Sequence, residues 1–138
     1  MAVETLSKQA AEAVKYFEAK LAFETGPIGL NMAINNKEPL QIIDLRTPEL
    51  YAQGHVPGAL NILFDELDKN LGKLNKETTT VVYCYDAVCH LAAKAALHLA
   101  QKGYRVKELA GGFQDWVDHD LKVEGKAESS CCSHSSCG

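Results

Sequence analysis

The segment Thr78–Tyr83 constrains the fold more than any other part of this sequence. It reads T-T-T-V-V-Y, a run of β-branched and aromatic residues that is typical of a strand buried on both faces. Such strands occur in parallel sheets that helices cover on both sides. Cys84 follows the segment directly, and a short loop and a long helical segment follow Cys84. The sequence therefore predicts an α/β domain with this strand near the centre of its sheet.

Strand-like and helix-like segments alternate along the rest of the chain, as a parallel sheet requires. Besides 78–83, we predict strands over residues 40–45, 59–62 and 105–109. We predict helices over residues 3–24, 28–34, 48–53, 65–71, 91–102 and 113–119. The first helix is amphipathic, so its apolar stripe is expected to pack on the domain. The helix over 48–53 has the clearest boundaries, because Thr47 is a good N-cap, Pro48 suits the first helical position and Gly54 ends the pattern.

Composition and charge exclude several classes of protein. The chain has 138 residues, of which 46% are hydrophobic and 23% charged, enough to build one globular core. A net charge of -4 with scattered Lys and Arg gives no reason to expect nucleic acid or anionic membrane as a partner. No apolar run approaches the roughly 18 residues of a membrane span, and the N-terminus lacks the order of a secretory signal. We therefore expect a cytoplasmic location. We also expect a monomer, with dimerisation through the N-terminal helix as the alternative.

Three parts can be distinguished along the chain: a helical preface over 1–36, the α/β domain over 37–124, and a flexible, Ser- and Cys-rich tail over 125–138. The tail holds four soft ligands, enough in kind for zinc or copper(I); they are Cys131, Cys132, His134 and Cys137. Adjacent ligands at Cys131 and Cys132 make a poor zinc-site spacing, so we predict no constitutive metal. No other cofactor is predicted.

Cys84 is the strongest candidate for chemistry. Six loop residues separate it from the next helix: Tyr85, Asp86, Ala87, Val88, Cys89 and His90. Their backbone N–H groups and the helix N-terminus are expected to form a cup that binds anions. Such a cup would lower the pKa of Cys84 and make its thiolate a nucleophile. The alternative is that Cys84 is only a small buried apolar residue, as many free cysteines are.

Three stretches resemble the rhodanese family of sulfurtransferases, over about residues 40 to 121. Ile42–Ile62, I-I-D-L-R-T-P-E-L-Y-A-Q-G-H-V-P-G-A-L-N-I, is similar to the family's first signature. V-V-Y-C, Val81–Cys84, resembles the strand that bears its active-site cysteine, and Gly103–Trp116 resembles its closing strand and helix. The resemblance implies a three-layer fold with a central, mostly parallel sheet of about five strands, here with an extra N-terminal helix.

The same resemblance implies an enzyme that accepts sulfane sulfur on Cys84 as a persulfide and passes it to a thiol or to cyanide. Its partners would be a small sulfur donor and a thiol or protein acceptor, and the tail thiols are a further candidate acceptor. Asp44 and Arg46 would pair and organise the site. His55 is expected to be a turn residue and His90 a surface residue.

The loop also departs from the family pattern. It contains no Arg or Lys and includes Asp86, whose carboxylate would repel thiosulfate and oppose ionisation of Cys84. We therefore expect thiosulfate to be a poor donor, and the missing Arg disfavours phosphatase activity. Cys89 would resolve a Cys84 persulfide as a disulfide, relay its sulfur, or simply pack under the sheet.

Two other functions remain open for such a chain. One is a non-enzymatic module that binds a thiol, a metal or a partner protein on a rhodanese scaffold. The other is a thiol-disulfide redox protein that uses Cys84 and Cys89.

Overall fold

Five parallel strands lie at the centre of the molecule, whose computed structural model describes residues 5–125. The strands are β1 (Glu24–Thr25), β2 (Leu40–Asp44), β3 (Leu60–Asn61), β4 (Thr79–Tyr83) and β5 (Val106–Leu109). They lie in the order β1-β5-β4-β2-β3, and each neighbouring pair is parallel. The helices are α1 (Lys8–Phe23), α2 (Pro27–Asn35), α3 (Pro48–Gln53), α4 (Leu91–Gln101) and α5 (Gly112–Asp118). The predicted α/β fold with a central β4 is confirmed.

Successive residues of the inner strands face opposite sides of the sheet and enter two separate cores. On one side, Ile43, Val82 and Cys84 pack with Ala92, Ala95 and Leu99 of α4. On the other side, Ile42, Val81 and Tyr83 pack with Leu30 of α2 and Trp116 of α5. The sheet is therefore the middle of three layers, and Cys84 points to the side covered by α4.

The N-terminal helix covers less of the domain than its apolar stripe predicts. Ser7 caps α1 by accepting a hydrogen bond from the N–H of Ala10, so the helix begins later than expected. None of its residues is buried, and Phe17 and Leu21 are 56% and 82% exposed. The helix does contact β5, but the expected burial of its apolar stripe is wrong for these exposed residues.

Two further segments differ from expectation. The predicted helix over 65–71 is replaced by two 3₁₀ segments, Phe64–Glu66 and Asp68–Lys73. Strand β1 was not predicted, because a strand of two residues before Gly26 and Pro27 has no periodicity to detect. Helix α3 has the predicted bounds, and Thr47 caps it as expected. None of the helices between residues 5 and 125 combines the length and apolar character needed to cross a membrane.

Candidate active site at the end of strand β4

Cys84 follows the last residue of β4 and lies on the floor of the loop formed by residues 85–90. The carbonyl of the preceding residue, Tyr83, accepts a hydrogen bond from the N–H of Leu45. This bond extends the pairing of β4 with β2 to the point where the loop begins. Cys84 is 1% exposed. The chain thus holds this sulfur at the carboxyl end of a central strand, where residues of α/β sheets commonly face ligands.

The first turn of α5 is hydrogen-bonded to the beginning of this loop. The N–H groups of Phe113 and Gln114 donate to the carbonyls of Cys84 and Tyr85, both at 2.9 Å. Gly112 has a φ of 64°, which favours glycine. A Cβ at this position would lie 2.8 Å from the N of Asp86 and 2.9 Å from the O of Cys84. Gly112 is therefore needed for the backbone of the turn to touch the backbone of the loop.

Asp86 occupies part of the expected anion cup with its own carboxylate. Its Oδ1 accepts hydrogen bonds from the N–H groups of Val88 and Cys89, each at 3.1 Å. Two of the six loop amides are thus directed to a carboxylate of the same loop. The prediction that the amides of residues 85–90 converge on the Cys84 sulfur is wrong for these two.

The protonation of Cys84 also differs from the sequence-based expectation. Burial raises the pKa of the Cys84 thiol to about 12, and the hydrogen bond with Cys89 acts in the same direction. The backbone N–H of Tyr85 favours the thiolate, but it does not offset the burial. The expected low pKa of Cys84 is wrong, because one N–H group replaces only a small part of the hydration that a thiolate loses. Cys84 rests as a thiol.

Cys89 is the immediate neighbour of Cys84 in space. Their Sγ atoms share a hydrogen bond of 3.0 Å, and Cys89 is partly exposed. Partial burial raises the pKa of Cys89, but its hydrogen bonds with the Cys84 thiol and with the N–H groups of Leu91 and Tyr85 outweigh that effect, and the pKa is lowered overall. Either thiol can donate in this bond, and when Cys89 ionises first the proton stays on Cys84.

Asp44 and Arg46 form a buried ion pair, as the sequence suggested. Arg46 Nη2 lies 2.8 Å from Asp44 Oδ2 and also donates to the carbonyl of Gly54 at 2.6 Å. The Tyr83 hydroxyl donates to the same Asp44 oxygen at 2.6 Å and accepts from the N–H of Val56 at 3.1 Å. Burial lowers the pKa of Arg46, but the hydrogen bond and charge of Asp44 raise it above its usual value.

Sequence reasoning did not find the groove that runs beside this ion pair. A cavity of about 550 Å³ is lined by Arg46, Leu50, Gln53, Gly54, Phe113, Val117, Asp120, Leu121 and Val123. A second cavity of about 370 Å³ shares Arg46 and Phe113 with it and extends to Tyr85 and Asp86. The Arg46 guanidinium lies 3.9 Å from the centre of the Phe113 ring. The groove lies between α3 and α5. Because these helices are distant in the sequence, no local pattern predicts it.

Neither of the candidate histidines forms a hydrogen bond with the two sulfurs. His90 is the exposed N-cap residue of α4 and makes no side-chain capping bond. His55 stacks on Tyr51, with ring centres 3.7 Å apart, and its N–H and carbonyl pair with Glu124. Within the described residues, no three His, Cys, Asp or Glu side chains come together as a metal site. The predicted ligands Cys131, Cys132, His134 and Cys137 lie outside those residues.

Known proteins are similar to this chain in sequence and in fold. Residues 30–119 match the rhodanese-like domain family. A protein of Allochromatium vinosum named sulfurtransferase is 30% identical over 95 residues, which cover 68% of this chain and 87% of that relative. An HTH-type transcriptional regulator of Mycobacterium tuberculosis is 37% identical over 83 residues, which cover 60% of this chain and 37% of the regulator. This chain thus spans well under half of that second relative.

The crystal structure of the BH2092 protein from Bacillus halodurans superposes with a TM-score of 0.79 at 34% identity, covering 86% of this chain and 88% of the other. The fold and the site therefore define a rhodanese-like domain. Because the family match extends over more than half of the sequence, the chain belongs to the rhodanese-like domain family.

Proposed function

We propose that this chain is a sulfurtransferase that carries sulfane sulfur as a persulfide on Cys84 and passes it to a thiol or to cyanide. Membership of the rhodanese-like family and the relative named sulfurtransferase support the class of reaction. The observation that carries the proposal is the position of Cys84 at the end of the central strand, beneath a loop that α5 holds by two backbone hydrogen bonds.

The first half-reaction transfers sulfur to the enzyme. Cys84 Sγ attacks the outer sulfur of a donor persulfide R–S–SH, a new S–S bond forms, the donor S–S bond breaks, and R–SH leaves. Because Cys84 rests as a thiol, its proton must move as it attacks. The departing sulfur takes up that proton, so that the donor leaves as R–SH. In the second half-reaction cyanide attacks the outer sulfur, thiocyanate leaves, and the Cys84 thiol is restored.

The charges near the sulfurs favour some donors over others. The exposed Asp86 carboxylate adjoins Cys89 through its backbone bond, while the positive charge of Arg46 is already paired with Asp44. A doubly charged anion such as thiosulfate meets repulsion at this entrance. Persulfides of small thiols and organic polysulfides are therefore the proposed donors.

The test is sulfur transfer from cysteine persulfide to cyanide, followed as thiocyanate. Trypsin should release residues 77–94 as one peptide, because Lys76 precedes it and Lys94 ends it. In Cys89→Ser, where no second thiol lies next to Cys84, we expect this peptide to gain about 32 Da on Cys84 before cyanide is added and to lose it afterwards. Cys84→Ser should abolish transfer, whereas Ala93→Ser on the exposed side of α4 should not affect it. Transfer at the unmodified rate by Cys84→Ser would refute the proposal.

The contact between the two sulfurs also favours a second candidate, a thiol-disulfide redox protein. This second candidate predicts that a disulfide substrate removes about 2 Da from the 77–94 peptide and that a persulfide donor adds no sulfur to Cys84 even in Cys89→Ser. If neither mass change occurs, the remaining function is a binding module without turnover.

A further inference from the structure

The two loop sulfurs differ sharply in their access to solvent. Cys84 is 1% exposed, whereas Cys89 is partly exposed and follows Val88, which is 81% exposed. Cys89 Sγ therefore lies between the buried Cys84 sulfur and the outer part of the loop, in direct contact with Cys84 Sγ. Any sulfur held on Cys84 shares its immediate surroundings with a second thiol of the same loop.

The distance between these sulfurs suits a direct attack of one on the other. Reacting atoms about 3 to 3.5 Å apart are already close to a reactive arrangement, and the Sγ atoms are 3.0 Å apart. Thiol-disulfide exchange requires a thiolate as the attacking group. Cys89 suits that role, since the N–H groups of Leu91 and Tyr85 stabilise its ionised form.

We propose that Cys89 resolves the Cys84 persulfide by attacking Cys84 Sγ, which releases hydrosulfide and leaves a Cys84–Cys89 disulfide. This inference rests on the proposed function, because it needs the Cys84 persulfide as its starting point. It adds a second activity to the same site, in which a persulfide is reduced to sulfide. The physiological substrate class is again a small-molecule persulfide.

The step balances without an outside oxidant. Cys84–S–SH and Cys89–S⁻ give Cys84–S–S–Cys89 and HS⁻: the bond between the two cysteine sulfurs forms, and the bond between Cys84 Sγ and the outer sulfur breaks. Both electrons of the broken bond leave with hydrosulfide. A dithiol reductant then restores the pair by two exchange steps and is itself oxidised to a disulfide. The fate of the sulfur depends on whether an acceptor or Cys89 reacts first.

The experiment measures sulfide release by the full chain in a single turnover with cysteine persulfide and no added reductant. We expect a burst approaching one sulfide per chain, together with a loss of about 2 Da from the 77–94 peptide. Dithiothreitol should then make the release catalytic. Cys89→Ser should lower the burst at least tenfold, keep about 32 Da on Cys84, and still pass that sulfur to cyanide. Ala93→Ser is the matched control for introducing a hydroxyl near this loop.

The outcomes separate this inference from the proposed function. If Cys89→Ser loads Cys84 and serves cyanide but also releases sulfide at the unmodified rate, the inference fails and the proposed function stands. A burst that survives in Cys89→Ser and disappears when Cys131, Cys132 and Cys137 are replaced by Ser would also overturn it. Sulfur found on Cys89 without any disulfide would indicate a relay instead and overturn it too. If Cys89→Ser, in which the persulfide cannot be resolved by this route, gains no sulfur on Cys84, the proposed function itself fails.

Discussion

The neighbouring strands β2 and β4 each end in a buried cluster that contains an ionisable group. The two clusters differ in the polar partners that they offer to that group. At the end of β2, the charge of Asp44 is met by Arg46 and by the hydroxyl of Tyr83. At the end of β4, Cys84 has a single backbone N–H and a neighbouring thiol, and it keeps its proton. Burial is compatible with a charge only where partners are supplied. The first cluster is therefore a fixed support, and the second leaves a sulfur free to change its bonding.

Breaking the Asp44–Arg46 ion pair should lower the free energy of unfolding more than any other change considered below. Arg46→Ala leaves the Asp44 carboxylate buried with one of its partners removed, and such changes cost about 3 to 5 kcal/mol. Urea unfolding measures the loss. Lys20→Ala is the matched control, since it breaks the exposed Lys20–Glu24 pair and should leave the free energy of unfolding unchanged. Equal effects of the two substitutions would show that the buried pair is not a structural support.

Gly112→Ala tests the loop without touching either sulfur. A Cβ at Gly112 would meet the backbone of Cys84 and Asp86 at 2.8 to 2.9 Å, in a conformation that L side chains rarely adopt. We expect a cost of about 1 to 3 kcal/mol and, with both variants also carrying Cys89→Ser so that sulfur stays on Cys84, a loss of sulfur loading of at least tenfold, measured by mass spectrometry of the 77–94 peptide. Gly72→Ala is the control, because nothing lies within 4 Å of its Cβ position. Normal loading by Gly112→Ala would mean that the turn does not position the loop.

Alkaline pH should lower the free energy of unfolding, because folding raises the pKa of Cys84. The pKa of this thiol rises from 9.0 to about 12 on folding. Below pH 9 both states are protonated, and between about 9 and 12 the unfolded chain loses the proton that the folded chain keeps. The free energy of unfolding therefore falls as pH rises through this range, by at most about 1.4 kcal/mol per pH unit from this group. Tyr83, whose pKa is also raised by burial, acts in the same direction.

Cys84→Ala isolates the contribution of the thiol to this pH dependence. Urea unfolding of both proteins under reducing conditions, at intervals from pH 8 to 10.5, gives the difference between their free energies of unfolding. We expect the advantage of the unmodified protein to shrink above pH 9. A constant difference would place the alkaline sensitivity in Tyr83 and other groups.

Asp86→Asn should have the smallest effect. The amide oxygen can still accept the N–H groups of Val88 and Cys89, while the negative charge beside the sulfurs is removed. We expect the KM for thiosulfate to fall about fivefold, equivalent to on the order of 1 kcal/mol. Steady-state kinetics with thiosulfate measure it, and a neutral organic polysulfide is the control donor. A fall of the same size for both donors would point to loop geometry rather than charge.

Local signals in the sequence predicted the framework well. The Thr47 cap, Pro48 and Gly54 determine α3 within a few residues of chain, and the apolar pattern of β4 predicts its central place in the sheet. Cys84 was found for the same reason, since its position depends only on the end of β4. Sequence patterns of this kind resolve elements whose boundaries depend on neighbouring residues.

The properties that sequence could not supply depend on contacts between distant segments. The proton on Cys84 is retained because α4 buries the thiol and Cys89 folds back to meet it. The groove beside Arg46 needs α3 and α5 to come together. The exposed stripe of α1 is amphipathic by sequence but packs little in the described chain, because periodicity indicates an apolar face and does not say what covers it.

Successive side chains at the end of β4 face opposite sides of the sheet. The two clusters are therefore only one peptide bond apart in the chain. Tyr83 faces Trp116 and reaches Asp44, while the next residue, Cys84, faces α4 and Cys89. Inserting or deleting one residue within this strand would turn the phenol toward α4 and the sulfur toward Trp116. The number of residues in β4 thus determines both where the reactive sulfur lies and where the supporting phenol lies. Insertions and deletions in this strand should be far more damaging than conservative replacements of its side chains.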